Sequence, residues 1–330
     1  MKLLIVRFSS IGDIVLTSPV IRCVKEQTEA EVHFLTKQRF VATLKHNPYI
    51  DRLWTINEAL SEVADGLVAE RFDYLIDLHG NLRTAELKLR LLRGSLSTGQ
   101  QPPEGITFRK LNLQKFLLTR LGIDRMPKVH IVDRYLDTVA PLGVTNDGKG
   151  LDYFIAPEEE VTPPYPGYLA FVIGAAHATK RLEEEQMVEL CSQIDYPIVL
   201  LGGPSEKEMG RRIAATGKNI FNACGKYSLN GSADLVRKAA AVITHDTGLM
   251  HIAAAYRKRI ISVWGNTVPA FGMYPYLPQG PDHVMAQVDG LKCRPCSKIG
   301  YAECPKGHFK CMREQDLGAI ARAASLAVKA

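Results

Sequence analysis

No stretch of this 330-residue sequence is apolar for the roughly 18–20 residues that a bilayer-spanning helix requires. The opening residues, MKLLIVRFSSIGD, are apolar only briefly before Arg7, Ser9 and Ser10 interrupt them. A signal peptide would carry a longer apolar core and a cleavage site of small residues. The sequence therefore predicts a cytoplasmic protein without a transmembrane segment.

A strong excess of one charge is missing as well. The sequence has 41 Lys and Arg residues against 35 Asp and Glu residues, which leaves a net charge of +6. This basic bias is too small and too dispersed to predict a nucleic-acid partner, and it fits phosphate-bearing small molecules or an anionic membrane surface equally well. With 46% hydrophobic and 23% charged residues, the composition is that of an ordinary globular protein and excludes a disordered chain.

Two phosphate-binding fingerprints are absent. The first predicted strand is followed by neither G-x-G-x-x-G nor G-x-x-x-x-G-K-[ST], which argues against a dinucleotide cofactor and against ATP hydrolysis. The sequence also has no D-x-D pair of carboxylates with the spacing that holds a metal–diphosphate complex. We therefore expect neither a cofactor nor a catalytic divalent ion.

Short apolar runs alternate with amphipathic ones in both halves of the chain, which predicts βαβ units and parallel sheets. In the first half, strands are predicted at Lys2–Phe8, Glu31–Thr36, Arg52–Ile56 and Asp73–Leu78. In the second half, they are predicted at Tyr168–Ile173, Pro197–Leu201, Ile220–Asn222, Ala241–Thr244 and Ile260–Trp264. Residues 145–150 and 156–167, between the halves, are rich in Pro, Gly and charge, as linkers are.

The fold class that follows is α/β, with two tandem Rossmann-like domains that face a cleft. At roughly 100–200 residues per domain, the length agrees with two domains. We place the N-terminal domain at residues 1–150, the C-terminal domain at 160–312 and a final helix at 313–330. Because ligands of doubly wound sheets bind beyond the carboxyl ends of the strands, the cleft between the domains is the expected site.

The turn after the first predicted strand reads Ser9-Ser10-Ile11-Gly12-Asp13. A short glycine-containing turn that opens onto a helix presents unpaired backbone N–H groups, which favour anions. Ser9, Ser10 and Gly12 are therefore candidates for a phosphate or acceptor loop. Asp13 is either a first-turn carboxylate stabilised by the helix dipole or a general base in the cleft.

Three further turns follow strands of the second half and precede helices. The first contains Thr179, Lys180 and Arg181, whose charges suit phosphates but also suit a solvated basic loop. The second contains Glu206, which either bonds a ribose or is a first-turn helix carboxylate. The third, His245–His251, reads HDTGLMH and offers a carboxylate and backbone N–H groups at a helix start, although N-capping and a core histidine explain it too. Together the three turns predict a nucleotide-diphosphate pocket.

The order of these motifs along the chain resembles glycosyltransferase family nine, the heptosyltransferases of lipopolysaccharide core synthesis. The resemblance rests on MKLLIVRFSSIGDIVLTSPVIRCVK, the loop at 179–181, LLGGPSEKE, THDTGLMHIAAA and the tail CRPCSKIGYAECPKGHFKCM. It covers nearly the whole chain and implies the two-domain GT-B fold. It further implies an inverting transfer of heptose from ADP-heptose, bound by the C-terminal domain, to a lipid A–Kdo acceptor bound by the N-terminal domain.

The resemblance also implies roles for single residues. Asp13 matches the aspartate proposed as the family's catalytic base, Lys180 matches the lysine that contacts the donor diphosphate, and Glu206 matches a ribose-binding acid. The residues that match the donor-binding signature, with Thr179 in the lysine loop, are Asp246, Thr247, Gly248, Leu249 and His251. Many family members carry Trp two residues after the lysine, where this chain has Leu182, so the donor loop departs from the family pattern.

Three alternatives stay open at this stage. A transferase of the same family could use another nucleotide sugar. A sugar-nucleotide epimerase or hydrolase would need further acid–base groups in the second domain, which only His177, His245 and His251 offer. A binding module without activity would keep the fold alone. The expected partners are an ADP-sugar donor and an anionic glycolipid acceptor at the inner membrane surface, with which the protein would associate peripherally.

Four of the seven cysteines crowd into one segment, with His308 among them: Cys293, Cys296, Cys304 and Cys311. Four sulfur atoms can hold Zn²⁺ tetrahedrally, but this spacing is irregular compared with paired C-x-x-C knuckles. Zinc, a local disulfide and free thiols all stay open. The odd cysteine total agrees with a reducing, cytoplasmic environment.

Basic residues crowd one part of the N-terminal domain: Arg83, Lys88, Arg90, Arg93, Arg109, Lys110, Lys115 and Arg120. They form either solvated helix faces or a patch for the phosphates and carboxylates of a membrane-embedded acceptor. The sequence favours the first interpretation for about half of them, because charge runs are usually solvated.

Overall fold

The computed structural model describes residues 1–329 and divides into two α/β units. The first unit comprises Met1–Lys110 and Val129–Phe154, and the second comprises Leu111–Lys128 and the chain from Ile155 onward. Each unit contains one sheet whose strands all run parallel. The predicted α/β class, with a parallel sheet in each of two tandem domains, is confirmed.

The first sheet has the order β3-β2-β1-β4-β5. Its strands are β1 (Lys2–Val6), β2 (Glu31–Lys37), β3 (Arg52–Ile56), β4 (Tyr74–Asp77) and β5 (Glu104–Thr107). The helices up to residue 136 are α1 (Ile11–Val15), α2 (Ser18–Thr28), α3 (Ala64–Ala69), α4 (Leu82–Ser97), α5 (Asn112–Phe116) and α6 (Ile131–Leu136). Of these, α5 belongs to the second unit and continues as a π-helical turn over Leu117–Leu121.

The second sheet has the order β11-β10-β9-β6-β7-β8. Its strands are β6 (Leu169–Val172), β7 (Ile198–Leu201), β8 (Ile220–Asn222), β9 (Ala241–His245), β10 (Arg259–Trp264) and β11 (Val284–Gln287). The helices are α7 (Glu184–Ser192), α8 (Lys207–Ala214), α9 (Leu229–Lys238), α10 (Gly248–Ala255), α11 (Lys310–Arg313) and α12 (Leu317–Ala327).

Burial explains why most strands could be predicted from the sequence while β5 and β11 could not. Residues 3–6 of β1 are fully buried, because helices cover both faces of a central parallel strand and select a continuous apolar run. The strands β5 and β11 lie at sheet edges and are mostly exposed, so they lack such a run. Among the described residues, no helix is both long and apolar enough to cross a membrane.

One buried cation ties the end of the first unit to its beginning. Arg22 on α2 donates to both carboxylate oxygens of Asp147 at 2.8 Å. Burial alone would raise the pKa of Asp147, but the bonds from Arg22 outweigh it and lower this pKa to about 2. The segment after α6 is therefore part of the first unit's core and not a free linker.

Candidate functional site

The first candidate site lies where β1 and β4 end side by side, with Val6 opposite Asp77. Arg7 follows β1, is buried, and donates to the carbonyl oxygen of Leu78 at 2.6 Å and to the hydroxyl of Tyr135 at 3.0 Å. Another of its guanidinium nitrogens lies 2.7 Å from Oδ1 of Asp13. Arg7 therefore joins two strand ends and fixes the carboxylate that the sequence singled out.

Asp13 is the third residue of α1, whose N-cap is Ser10. Its Oδ2 accepts hydrogen bonds from the backbone N–H and the hydroxyl of Ser10, at 3.1 and 2.8 Å. Ser9 offers its carbonyl oxygen to Nε of Arg7 at 2.7 Å, and Gly12 is buried inside α1. Asp13 therefore caps the start of α1 together with Ser10. Because its side chain is 20% exposed, a ligand can still reach the carboxylate.

Sequence reasoning missed a second ionisable group at this edge, His79. Its ring packs edge-on against Phe8 with 5.5 Å between the centroids, and its backbone N–H donates to buried Asp77 at 3.0 Å. Burial, reinforced by the charges of Arg7 and Lys110, lowers the pKa of His79 to about 4, so the imidazole is neutral at pH 7. The letters DLHG show polar residues at the end of a predicted strand, but only the sheet order places this strand end beside that of β1.

The second unit gathers three strand ends into one polar cluster. Lys180 lies in the loop after β6, and its Nζ is 2.6 Å from Oδ2 of Asp246, which follows β9. Thr267 follows β10 and donates its hydroxyl to the same oxygen at 3.0 Å. The structure therefore brings together two of the predicted donor-site residues. It adds Thr267, whose signal in the sequence was the polar pair Asn266-Thr267, one glycine after a buried strand.

The start of α10 lies next to this cluster. Thr247 is the N-cap and Gly248 the first helical residue, while Leu249 is half-buried in the first turn. The Thr247 hydroxyl makes no capping bond and lies 3.4 Å from the hydroxyl of Thr244. First-turn N–H groups lack intrahelical acceptors, and the helix dipole favours negative charge there, so the turn suits phosphate oxygens.

Both histidines of the HDTGLMH segment are internal. His245 is fully buried, and its Nε2 accepts the backbone N–H of Leu182 at 3.1 Å. Burial lowers the pKa of His245 to about 3, which keeps the ring neutral. His251 is buried on α10. His245 thus holds the loop that carries Lys180 rather than presenting a proton to a ligand.

Thr179 and Glu206 use their polar atoms to fix the neighbouring loops. The Thr179 hydroxyl accepts the N–H of Tyr301 at 2.8 Å and donates to its carbonyl oxygen at 3.1 Å. Glu206 accepts the N–H of Gly203 at 2.8 Å and lies 3.5 Å from Arg181. Direct contacts of Thr179 and Glu206 with a donor stay predictions.

A cavity of about 450 Å³ opens beside the loop that carries Lys180, within the second unit. Its lining combines Thr179 and Leu182 with charged side chains, among them Arg181, Glu303 and Arg313. The volume falls in the range of small-molecule sites. The Cys-rich segment forms one wall of this cavity.

All seven cysteines are free thiols. In the Cys-rich segment, Sγ of Cys293 lies 3.7 Å from Nε2 of His308, and burial raises the pKa of Cys311 to about 11. Across residues 1–329, the ligand atoms close enough to share a metal ion belong to Glu31, His33 and Glu70. The four clustered cysteines are not among these residues.

The model of glycosyltransferase family 9 (heptosyltransferase) matches residues 61–303. Among curated proteins, lipopolysaccharide heptosyltransferase 1 of Escherichia coli K12 is 25% identical over 297 residues, which cover 82% of this chain and 89% of that protein.

Solved structures share the fold. The crystal structure of a glycosyltransferase family 9 protein from Veillonella parvula DSM 2008 superposes with a TM-score of 0.77 at 21% identity, covering 99% of this chain and 97% of that one. The E. coli heptosyltransferase WaaC with ADP-2-deoxy-2-fluoro heptose superposes with a TM-score of 0.66 at 23% identity, covering 88% and 94%. At these identities the likeness establishes a common fold.

Proposed function

We propose that this chain, which belongs to glycosyltransferase family 9 (heptosyltransferase), transfers a heptose from ADP-heptose to the lipid A–Kdo acceptor of the lipopolysaccharide inner core. The observation that carries the proposal is the polar cluster of the second unit, where Lys180 lies 2.6 Å from Asp246 next to the start of α10. The heptosyltransferase names of its relatives, one of them solved with an ADP-heptose analogue, support the choice of donor.

Lys180, Thr247 and Gly248 hold the donor diphosphate in this proposal. An ammonium group has three donors, so Lys180 can keep its bond to Asp246 and still donate to two phosphate oxygens. The first turn of α10 adds backbone N–H groups and the positive end of its dipole. Leu249 and His251, which lie in the same helix, are the other residues that match the donor-binding signature of the family.

Asp13 is the general base. Arg7 favours its charged form, and Ser10 fixes its orientation, so a carboxylate is present to accept a proton. As the acceptor oxygen bonds to the anomeric carbon, its proton passes to Asp13. The bond from that carbon to the β-phosphate oxygen breaks on the opposite face, and ADP leaves with the electron pair. Lys180 and the α10 start stabilise the charge that develops on ADP.

The acceptor side relies on part of the basic cluster in the first unit. Lys88 pairs with buried Asp77 at 2.9 Å and Arg90 with Glu86 at 2.8 Å, so these two cations are already engaged. Arg93 is the more available one for acceptor phosphates and carboxylates. We place the protein in the cytoplasm, peripherally associated with the inner membrane.

An epimerase or hydrolase is a weaker candidate. It would need acid–base groups at this polar cluster, and of the three histidines that could supply them His245 and His251 are buried, which leaves only the partly exposed His177. A change of nucleotide sugar within the same family fits the cluster equally well, because Lys180 and the α10 start recognise a diphosphate and not a particular sugar.

The test incubates the purified chain with ADP-heptose and a lipid A–Kdo acceptor and follows the acceptor by mass spectrometry. We expect the mass of one heptosyl residue to be added and ADP to be released in equal amount. UDP- and GDP-sugars are the matched donors. Transfer from one of them, and not from ADP-heptose, would overturn the proposed donor. Nucleotide release without a gain in acceptor mass would show that the chain hydrolyses the donor instead of transferring its sugar.

A further inference from the structure

Helix α4 has two opposite faces. Its buried face consists of Thr84, Leu87, Leu91 and Ser95. The opposite face carries Leu82, Leu89, Leu92 and Leu96, which are 91%, 43%, 41% and 64% exposed. Steps of seven, three and four residues keep these leucines on one side of a helix with 3.6 residues per turn. We call this row the α4 leucine stripe. It is apolar surface for which the first unit provides no cover.

The flanks of the α4 leucine stripe are basic. The helix carries one acidic residue, Glu86, against Arg83, Lys88, Arg90 and Arg93. Lys88 and Arg90 are paired with Asp77 and Glu86, which leaves Arg83 and Arg93 as the cations of the helix for a partner. Two copies of this face would bring these like charges together, whereas an anionic surface would meet opposite charges. Single exposed leucines are ordinary, but a continuous apolar row rimmed by cations is the pattern of helices that lie in a membrane interface.

We propose that the α4 leucine stripe rests on the anionic lipid surface that holds the acceptor, with its leucines at the boundary between headgroups and acyl chains. Arg83 and Arg93 then lie at the level of the lipid phosphates. The inference rests on the proposed function for its choice of a membrane, since that acceptor is a glycolipid. It adds a defined docking face, which brings the first unit to the bilayer along the length of α4.

The test compares a double variant, Leu89→Ala with Leu96→Ala, with the control Leu326→Ala. Leu326 is 70% exposed on α12 of the second unit and matches Leu96, which is 64% exposed, in type and exposure. Binding is measured by flotation with vesicles of phosphatidylethanolamine and phosphatidylglycerol, and with neutral phosphatidylcholine vesicles as reference. We expect partition onto the anionic vesicles to fall at least ~10-fold in the double variant. Arg93→Gln should lower it about fivefold, and the control should leave it unchanged.

Exposed leucines contribute little to the fold, so all variants should melt like the unchanged chain. Unchanged partition of the double variant, or an equal loss in the control, would overturn the docking face. A dimer that the double variant abolishes would assign the stripe to self-association and overturn it as well.

Activity separates this inference from the proposed function. The double variant should transfer heptose normally to a lipid-free Kdo oligosaccharide and poorly to the same acceptor in vesicles. If the unchanged chain modifies neither acceptor, the proposed function fails, while the vesicle-binding result still decides the docking face.

Discussion

Replacing Asp13 by asparagine separates its role at the helix start from its proposed role as a base. The carboxylate accepts from Arg7 on one oxygen and from Ser10 on the other. Asparagine offers one acceptor and one donor in these positions, so one of the two contacts sets donor against donor. We expect the free energy of unfolding to fall by about 1–3 kcal/mol.

The catalytic effect should be larger and separable. Base assistance contributes about 10²–10⁴-fold, which corresponds to roughly 3–5 kcal/mol of the barrier. We expect kcat of Asp13→Asn to drop at least ~100-fold. The Kd for ADP should stay unchanged, because the proposed donor ligands Lys180 and Thr247 belong to the other unit.

Ser10→Ala is the matched control, since it removes the hydroxyl that bonds Asp13 at 2.8 Å and leaves the carboxylate in place. It should cost about 1 kcal/mol of stability and little turnover. Steady-state ADP release and urea unfolding measure the two effects on the same samples. If both variants lose stability and neither loses turnover, Asp13 only closes the helix and the base lies elsewhere.

Three further outcomes are expected. Lys180→Ala should lower kcat/KM roughly 30- to 150-fold, the equivalent of about 2–3 kcal/mol. Near-normal kinetics would show that Lys180 does not contact the donor diphosphate. ADP at about a hundredfold excess over Kd should stabilise the fold by about 2.7 kcal/mol and raise Tm. An unchanged Tm with ADP, UDP and GDP would contradict the proposed nucleotide site. The pKa of His245 lies near 3 in the fold, below its ordinary 6.5, so the unfolded chain binds the extra proton. The contribution of His245 is therefore complete above pH 6.5 and should fall by about 2 kcal/mol by pH 5. Urea unfolding at both pH values should show a flatter profile for His245→Gln, and an unchanged profile would contradict the assignment.

The fold could be predicted because the strands at sheet centres are buried on both faces. Residues 198–201 of β7, for example, read IVLL and have almost no exposed surface. The edge strand β5 reads EGIT, and three of its four residues are exposed, so its pairing with β4 left no apolar trace in the sequence. The family resemblance seen in the motifs is confirmed by the match over residues 61–303.

The candidate site could be predicted only as far as strand ends are visible in a sequence. Lys180 and Asp246 both follow buried strands, and they could be predicted to lie together because parallel strands end at the same edge of a sheet. Thr267 and His79 were missed because their positions depend on which strands are neighbours. That order becomes visible only in the folded sheet, where β10 lies next to β9 and β4 next to β1.

The Cys-rich segment is hydrogen-bonded to the residues around the polar cluster of the second unit. Arg294, between its first two cysteines, donates to the carbonyl oxygen of Thr267 at 3.0 Å, and Thr267 in turn holds Asp246. Farther along the segment, Tyr301 exchanges hydrogen bonds with Thr179, which directly precedes the cluster lysine. Both partners of the lysine–aspartate pair are therefore fixed from the same segment. Because a hydrogen-bonded neighbour restricts each side chain before any ligand arrives, the pair has the preorganisation that the proposed diphosphate site requires.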